Sequence, residues 1–114
     1  MDVVDAVWHI LENPTQPGEH VVLDSVRGKL SPVWLSEVEA EGFLSRQPGL
    51  EGMRVAELGT PVFKEAYLLA LGRLGVAQVV FGYQPGQPQA SVLDLSQLYE
   101  RLTQRLRSDS TRIL

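Results

Sequence analysis

Metal binding and thiol chemistry would need side chains that this sequence barely supplies. It contains two histidines, His9 and His20, and no cysteine. The two histidines fit neither the H-x-x-x-H nor the H-E-x-x-H spacing that presents two metal ligands from one face of a helix. The lack of cysteine excludes disulfides, thiolate metal sites and a cysteine nucleophile. The sequence therefore predicts no metal site and no cofactor.

Acid–base or nucleophilic catalysis would need carboxylates or a serine held beside a partner group. Glu37, Glu39 and Glu41 alternate along the chain. Side chains two positions apart on a helix point about 200° apart, so these glutamates cannot form a carboxylate pair. Asp24 and Ser25 have no histidine placed to complete a triad, and the G-x-S-x-G motif is absent. The sequence predicts no catalytic residue; an enzyme whose carboxylates meet only after folding stays an open alternative.

Charge is unevenly distributed between the two ends of the chain. Residues 1–26 contain five acidic residues and no Lys or Arg, whereas residues 101–114 contain four arginines and one aspartate. We expect the two ends to attract each other, either within one chain or between chains. Arg101 and Arg105, one helical turn apart, are candidate interaction residues. The dipole at a helix C-terminus, which also favours cations, is the alternative explanation for them.

Trp8 is the third candidate interaction residue. It lies beside His9, off the main apolar stripe of a helix predicted at the start of the chain. We therefore expect its ring to be partly exposed, and exposed large aromatics often mark an interface.

A polar loop at residues 83–89 is the candidate ligand site. It follows a run of apolar residues that predicts a buried strand, and long loops at strand ends commonly carry binding residues. Tyr83, Gln84 and Gln87 are the candidate ligand contacts. The segment lacks the G-x-G-x-x-G and Gly-Lys-Ser/Thr patterns of phosphate-binding loops, and its prolines cannot donate backbone N–H groups. A plain surface loop is the alternative.

The elements that must position these residues are predicted from periodicity, capping residues and turn residues. Helices are expected at residues 2–12, 37–46, 61–74 and 95–107, and strands at 20–26, 30–35, 53–58 and 76–81. Ser36 and Thr60 are expected to cap the second and third helices. The third helix is apolar over so wide a face that heavy burial is expected.

The order α-β-β-α-β-α-β-α predicts an α+β fold in one domain, with a mixed sheet of about four strands covered by helices. We expect the domain to span residues 1–107 and residues 108–114 to form a flexible tail. Pro32 cannot donate to a ladder, so the strand at 30–35 is expected to be an edge or bulged at that point.

Residues 31–40, which read Ser-Pro-Val-Trp-Leu-Ser-Glu-Val-Glu-Ala, resemble the P-V-F-T-S-x-E entry of SseB-type N-terminal domains, where a strand runs into a capped helix. Residues 76–86 resemble a later strand of that family, although the Asn of its Asn-Pro-Gly-like turn is absent here. The resemblance implies a small bacterial αβ domain with no established enzymatic activity, used in protein interaction. It brings no catalytic residue to this chain.

Overall charge and hydropathy narrow the choice of partner. The formal net charge of −4 disfavours nucleic-acid binding, which depends on clustered cations. An acidic N-terminus and the lack of a long apolar run predict a cytoplasmic protein without a membrane contact. We expect a non-enzymatic interaction or structural module that forms a homodimer or binds another protein. A small-ligand-binding or regulatory domain that uses the 83–89 loop is the alternative.

Overall fold

The computed structural model describes residues 2–16, 20–25, 28–86 and 90–113. Within them, one short 3₁₀ turn, six strands and three helices form a single domain. The strands are β1 (Trp8–Glu12), β2 (Leu23–Ser25), β3 (Gly28–Val33), β4 (Arg54–Leu58), β5 (Gln78–Phe81) and β6 (Ser91–Asp94). The helices are α1 (Glu37–Arg46), α2 (Pro61–Arg73) and α3 (Leu95–Ile113), and the 3₁₀ turn is Val3–Asp5. The predicted α+β class is confirmed.

Two sheets are joined at one point. The larger sheet has the strand order β2-β3-β5-β6, in which β3 and β5 are parallel and the two outer pairs are antiparallel. The smaller sheet is the antiparallel pair β1-β4. His9 and Trp34 exchange two backbone hydrogen bonds, of 2.7 and 2.9 Å, which link β1 to the end of β3. The predicted mixed sheet of four strands is therefore present, with a second, smaller sheet attached to it.

Two hydrophobic clusters, each containing one tryptophan, make up the core. The cluster around Trp8 includes buried residues of α2, α3 and β5, among them Leu71, Leu102 and Val79. The cluster around Trp34 lies under α1 and includes Leu11, Ala40 and Phe43. Since Trp8 and Ile10 belong to the first cluster and Leu11 to the second, β1 lies between them.

Helices α1 and α2 begin at the capping residues that the sequence predicts. Ser36 Oγ accepts a hydrogen bond from the Glu39 backbone N–H at 3.2 Å, and Thr60 Oγ1 accepts one from the Phe63 N–H at 3.4 Å. At the end of α2, Gly75 has a φ of +79°, the left-handed conformation that ends helices and that glycine adopts without strain. The predicted bounds of α1 and α2 are therefore confirmed to within one residue.

The prediction of a helix at residues 2–12 is wrong. Asp2 does cap a helical turn, since its side chain accepts from the Val4 N–H, but that turn ends at Asp5 and a strand follows. β1 pairs along its whole length with β4, from Trp8 opposite Leu58 to Glu12 opposite Arg54. Because β1 has a hydrophobic cluster on each face, its apolar residues do not alternate strictly, and their spacing mimics that of a helix.

Other differences concern the later part of the chain and Pro32. The sequence analysis missed β6, and α3 extends to Ile113, beyond its predicted end at 107. The β2 ladder ends at Leu30, so β3 pairs at Pro32 with β5 alone among the described residues. That agrees with the predicted local edge.

Candidate functional site

The two charged ends of the chain meet within one molecule. Arg105 forms ion pairs with Asp5 at 2.8 Å and with Asp2 at 3.7 Å, and Arg101 pairs with Asp2. We call these four residues the N-terminal clasp. The hydrogen bond from Arg101, followed by that from the Val4 N–H, lowers the pKa of the Asp2 carboxyl below its usual value. The predicted attraction between the ends is therefore present as an intramolecular contact, and it occupies both candidate arginines.

Side chains from the core hold the backbone beneath the clasp. The Trp8 indole N–H donates to the Val3 carbonyl at 2.7 Å, and the Lys64 ammonium donates to the Val4 carbonyl at 2.9 Å. Lys64 also lies 5.4 Å from the centre of the Trp8 ring, a cation–π distance. Its side chain is buried, which lowers the pKa of the ammonium, while the charge of Asp5 opposes that shift.

Trp8 itself is 0% exposed, so the prediction of a partly exposed ring is wrong. The ring packs edge-on against Phe81, with 5.6 Å between the ring centres. In a helix Trp8 would have pointed away from the apolar stripe, whereas in β1 it shares the core-facing side with Ile10. The ring is therefore part of the core and not of an accessible surface.

The residues of the candidate ligand loop hold that loop against α1. The Trp34 indole N–H donates to the Tyr83 carbonyl at 2.8 Å, and the Tyr83 ring packs against Phe43 at 5.8 Å. The Gln84 amide donates to the Glu39 carbonyl at 2.8 Å. These contacts give Tyr83 and Gln84 a structural role. Gln87 lies outside the described residues, and a ligand role for the loop stays a prediction.

A buried polar cluster lies between β3, α2 and the segment before β2. The hydroxyls of Ser31 and Tyr67 share a hydrogen bond of 2.6 Å, and the rings of His20 and Tyr67 pack nearly perpendicular to each other with 4.9 Å between their centres. Burial raises the pKa of the Tyr67 hydroxyl, and the bond to Ser31 opposes this only in part. Burial also lowers the pKa of His20, whose Nδ1 has no hydrogen-bond partner among the described residues.

This cluster is not arranged for catalysis. Ser31 and Tyr67 are both buried in the core, so a substrate has no access to their hydroxyls. Nor do the described residues contain any group of three His, Asp or Glu side chains that could hold a metal ion. Within the cluster, the buried hydroxyls of Ser31 and Tyr67 serve as each other's hydrogen-bond partners.

The outward side of α2 is apolar and exposed, which the sequence analysis did not predict. We call Val62, Phe63, Ala66 and Leu69 the outer face of α2. Val62 is 60% exposed, Phe63 59% and Leu69 45%, and Ala66 is also exposed. The opposite side of the helix packs into the core through Tyr67, Leu68 and Leu71. The wide apolar face of α2 predicts heavy burial, yet no described residue covers its outer side.

A groove continues this apolar surface between α2 and α3. Its volume is about 420 Å³. Its floor and walls are mostly apolar and come from Leu68, Leu69, Gly72, Arg73, Leu95, Ser96 and Tyr99. Gly72 leaves the groove open above Leu95, since a Cβ built at that position would lie 3.6 Å from Leu95 Cδ2. Leu69 belongs to both the outer face and the groove.

Comparisons with known proteins give one relationship. The model of a family described as "Protein of unknown function (DUF3234)" matches residues 5–99. A search of the curated proteins finds no match. The resemblance to SseB-type domains is not tested by these comparisons and stays a prediction. No helix among the described residues is long and apolar enough to span a membrane.

Proposed function

Since the chain belongs to DUF3234, a family of proteins of unknown function, we propose its role from its own surface: a non-enzymatic interaction module that forms a homodimer. The observation that carries the proposal is the outer face of α2. Three large apolar side chains, Val62, Phe63 and Leu69, are each close to half exposed or more on one side of one helix. A contiguous exposed apolar patch of this kind marks a contact surface more often than scattered apolar residues do.

Burial of this face would release substantial free energy. Full burial of a large exposed apolar side chain contributes about 1.5–3 kcal/mol, and these side chains, which are about half exposed, would each contribute roughly half of that. The groove beside Leu69 adds apolar area from Leu95 and Tyr99, which brings the surface closer to the roughly 800 Å² per partner of a stable interface. The outer face and the groove together therefore form a surface suited to a protein partner.

A second copy of the chain is the partner that we propose. Most soluble oligomers are homo-oligomers, and two-fold dimers are the commonest of them. A two-fold interface requires a surface that complements itself, and an apolar helix face beside an apolar groove meets that requirement. The N-terminal clasp does not provide such a surface, because its opposite charges are already paired within the chain.

Analytical ultracentrifugation of the purified chain tests the proposal. At micromolar concentration we expect a dimer at both low and high salt, because apolar burial does not depend on charge. Leu69→Asp should sediment as a monomer, since a carboxylate would be buried at the centre of the contact. A chain that is monomeric in both salts would overturn the proposal.

Val38→Asp is the matched control. Val38 lies on α1 and is 81% exposed, so the same change in an exposed apolar side chain away from α2 should leave the dimer intact. Loss of the dimer in both variants would contradict a contact through α2.

The proposal also includes that the protein is bacterial and lies in the cytoplasm. Fractionation of the native cells tests this location.

A further inference from the structure

Two oppositely charged residues flank Leu69 symmetrically on α2. Glu65 lies four residues before it and Arg73 four residues after it. They are about 12 Å apart along the helix axis, too far to pair with each other. Neither forms an ion pair with any other described residue, in contrast to the arginines of the N-terminal clasp. This charge pattern becomes complementary only when a second helix runs in the opposite direction.

We propose that two copies of the chain pack their α2 helices antiparallel about a two-fold axis at Leu69, so that Glu65 of each copy pairs with Arg73 of the other. This inference rests on the proposed homodimer and assigns its orientation and register. The two-fold axis repeats each contact, so a single helix face supplies two ion pairs. Glu65 and Arg73 point to opposite sides of Leu69 on the helix, about 40° from it on either side. At the height of each glutamate, the partner's arginine lies on the other flank of the contact, and the two long side chains meet across it.

The shape of the surface supports the same register. Antiparallel packing about Leu69 sets Ala66 of one copy opposite Gly72 of the other, because these two residues lie three positions on either side of the axis. Their small side chains let the helices approach closely, within the 8–10 Å range of packed helices. Leu69 of each copy then enters the groove of the other, next to Leu95 and Tyr99.

Two other arrangements are less favourable. In a parallel pair, Glu65 would face Glu65 and Arg73 would face Arg73, which places like charges together. An antiparallel crossing at Ala66 would set Arg73 of one copy against the first turn of the other α2. The N-terminus of a helix favours anions, so a cation there is poorly placed. Of these three arrangements, the crossing at Leu69 alone brings Glu65 and Arg73 close to opposite charges.

Charge reversal tests the register. Glu65→Lys and Arg73→Glu each create two like-charge contacts in a homodimer, so each should raise the dissociation constant about tenfold or more. An equimolar mixture of the two variants forms a heterodimer in which all the charges are again complementary. That mixture, and the double variant E65K/R73E, should regain nearly wild-type association. The readout is sedimentation equilibrium at low salt, with thermal melting of each variant to verify that it folds.

The outcomes separate this inference from the proposed function. If both single variants associate like the wild type while Leu69→Asp is monomeric, the homodimer stands and this register is wrong. If the single variants weaken but their mixture does not recover, the antiparallel pairing is likewise overturned. If the wild type itself is monomeric, the proposed function fails and the register fails with it.

Discussion

The N-terminal clasp and the outer face of α2 differ in whether their side chains have partners within the same chain. In the clasp, Asp2 and Asp5 lie beside Arg101 and Arg105, and the chain supplies both members of each ion pair. On α2, large apolar side chains point to solvent, and no described residue covers them. The more conspicuous sequence feature, the charge asymmetry, is therefore used within the molecule. The surface that remains for another molecule is mainly apolar, with Glu65 and Arg73 beside Leu69.

This contrast shows why residue type alone does not identify an interaction surface. Arginines and a tryptophan are typical of binding hot spots. Here the tryptophan is in the core and the arginines have intramolecular partners. What separates the two regions is whether a complementary group lies within reach in the same chain, and only the folded structure shows that.

Trp8→Ala should have the largest effect and would test the claim that the region under the clasp is core. We expect a loss of about 3–5 kcal/mol in the free energy of unfolding, because the ring is buried against Phe81 and donates to the Val3 carbonyl. Urea denaturation measures it, in a Leu69→Asp background so that dissociation of a dimer does not contribute.

Phe63→Ala in the same background is the control for that comparison. Its ring is mostly exposed, so we expect a change below about 0.5 kcal/mol. Equal losses in the two variants would show that the outer face of α2 stabilises the monomer, and the contrast drawn above would fail.

Tyr67→Phe should have a smaller effect, about 1–3 kcal/mol, because it leaves the buried Ser31 hydroxyl without a partner. Adding Ser31→Ala should recover part of that loss, since the orphaned hydroxyl is then absent. A double-mutant cycle by urea denaturation measures the coupling. Strictly additive losses would contradict the direct bond between the two hydroxyls.

The third prediction concerns His20, which should affect the stability of the fold only within a limited range of pH. Burial lowers the pKa of His20 below its ordinary value of 6.5, while the nearby Glu12 carboxylate opposes the shift. The unfolded chain therefore binds the proton more readily, and stability should fall as the pH drops from 6.5 through the lower pKa of the folded state. His20→Phe removes the titrating group and keeps an aromatic ring against Tyr67. Thermal melting at pH 7.5 and pH 5.5 should show a larger loss for the wild type than for the variant.

Arg101→Gln should have the smallest effect, below about 1 kcal/mol, because the clasp is partly exposed and exposed ion pairs contribute little. Since the pKa of Asp2 is lowered in the folded state, the contribution is present above pH 3.8 and is lost as the pH falls through that lowered pKa. The variant should therefore lose less stability than the wild type on acidification. A loss as large as that of Trp8→Ala would show that the clasp, and not the core beneath it, holds the N-terminal segment.

Much of the fold could be predicted from local signals. Ser36 and Thr60 mark the starts of α1 and α2, and Gly75 marks the end of α2, because each acts on backbone groups within a few residues. β1 could not be predicted in this way. Its conformation is decided by pairing with β4, more than forty residues later, and by a hydrophobic cluster on each face.

The candidate site was harder to predict from the sequence than the fold. The charge asymmetry correctly indicates that the ends attract each other, but it does not distinguish an intramolecular from an intermolecular contact. Exposure of Val62 and Leu69 depends on how α2 lies against its neighbours, and an apolar helix gives no sign of which side remains uncovered. A further signal in the sequence is the symmetrical spacing of Glu65 and Arg73, which form no ion pair among the described residues and on which the proposed register rests.

The N-terminal clasp also has a consequence for the order of folding. Its hydrogen bonds join residues 99 and 100 positions apart in the chain, and Lys64 reaches the Val4 carbonyl across 60 positions. During synthesis, the segment at Asp2–Asp5 leaves the ribosome long before the arginines that fix it. The turn at Val3–Asp5 can therefore form these contacts only after α3 has been synthesised, so these early residues are among the last to find their native contacts.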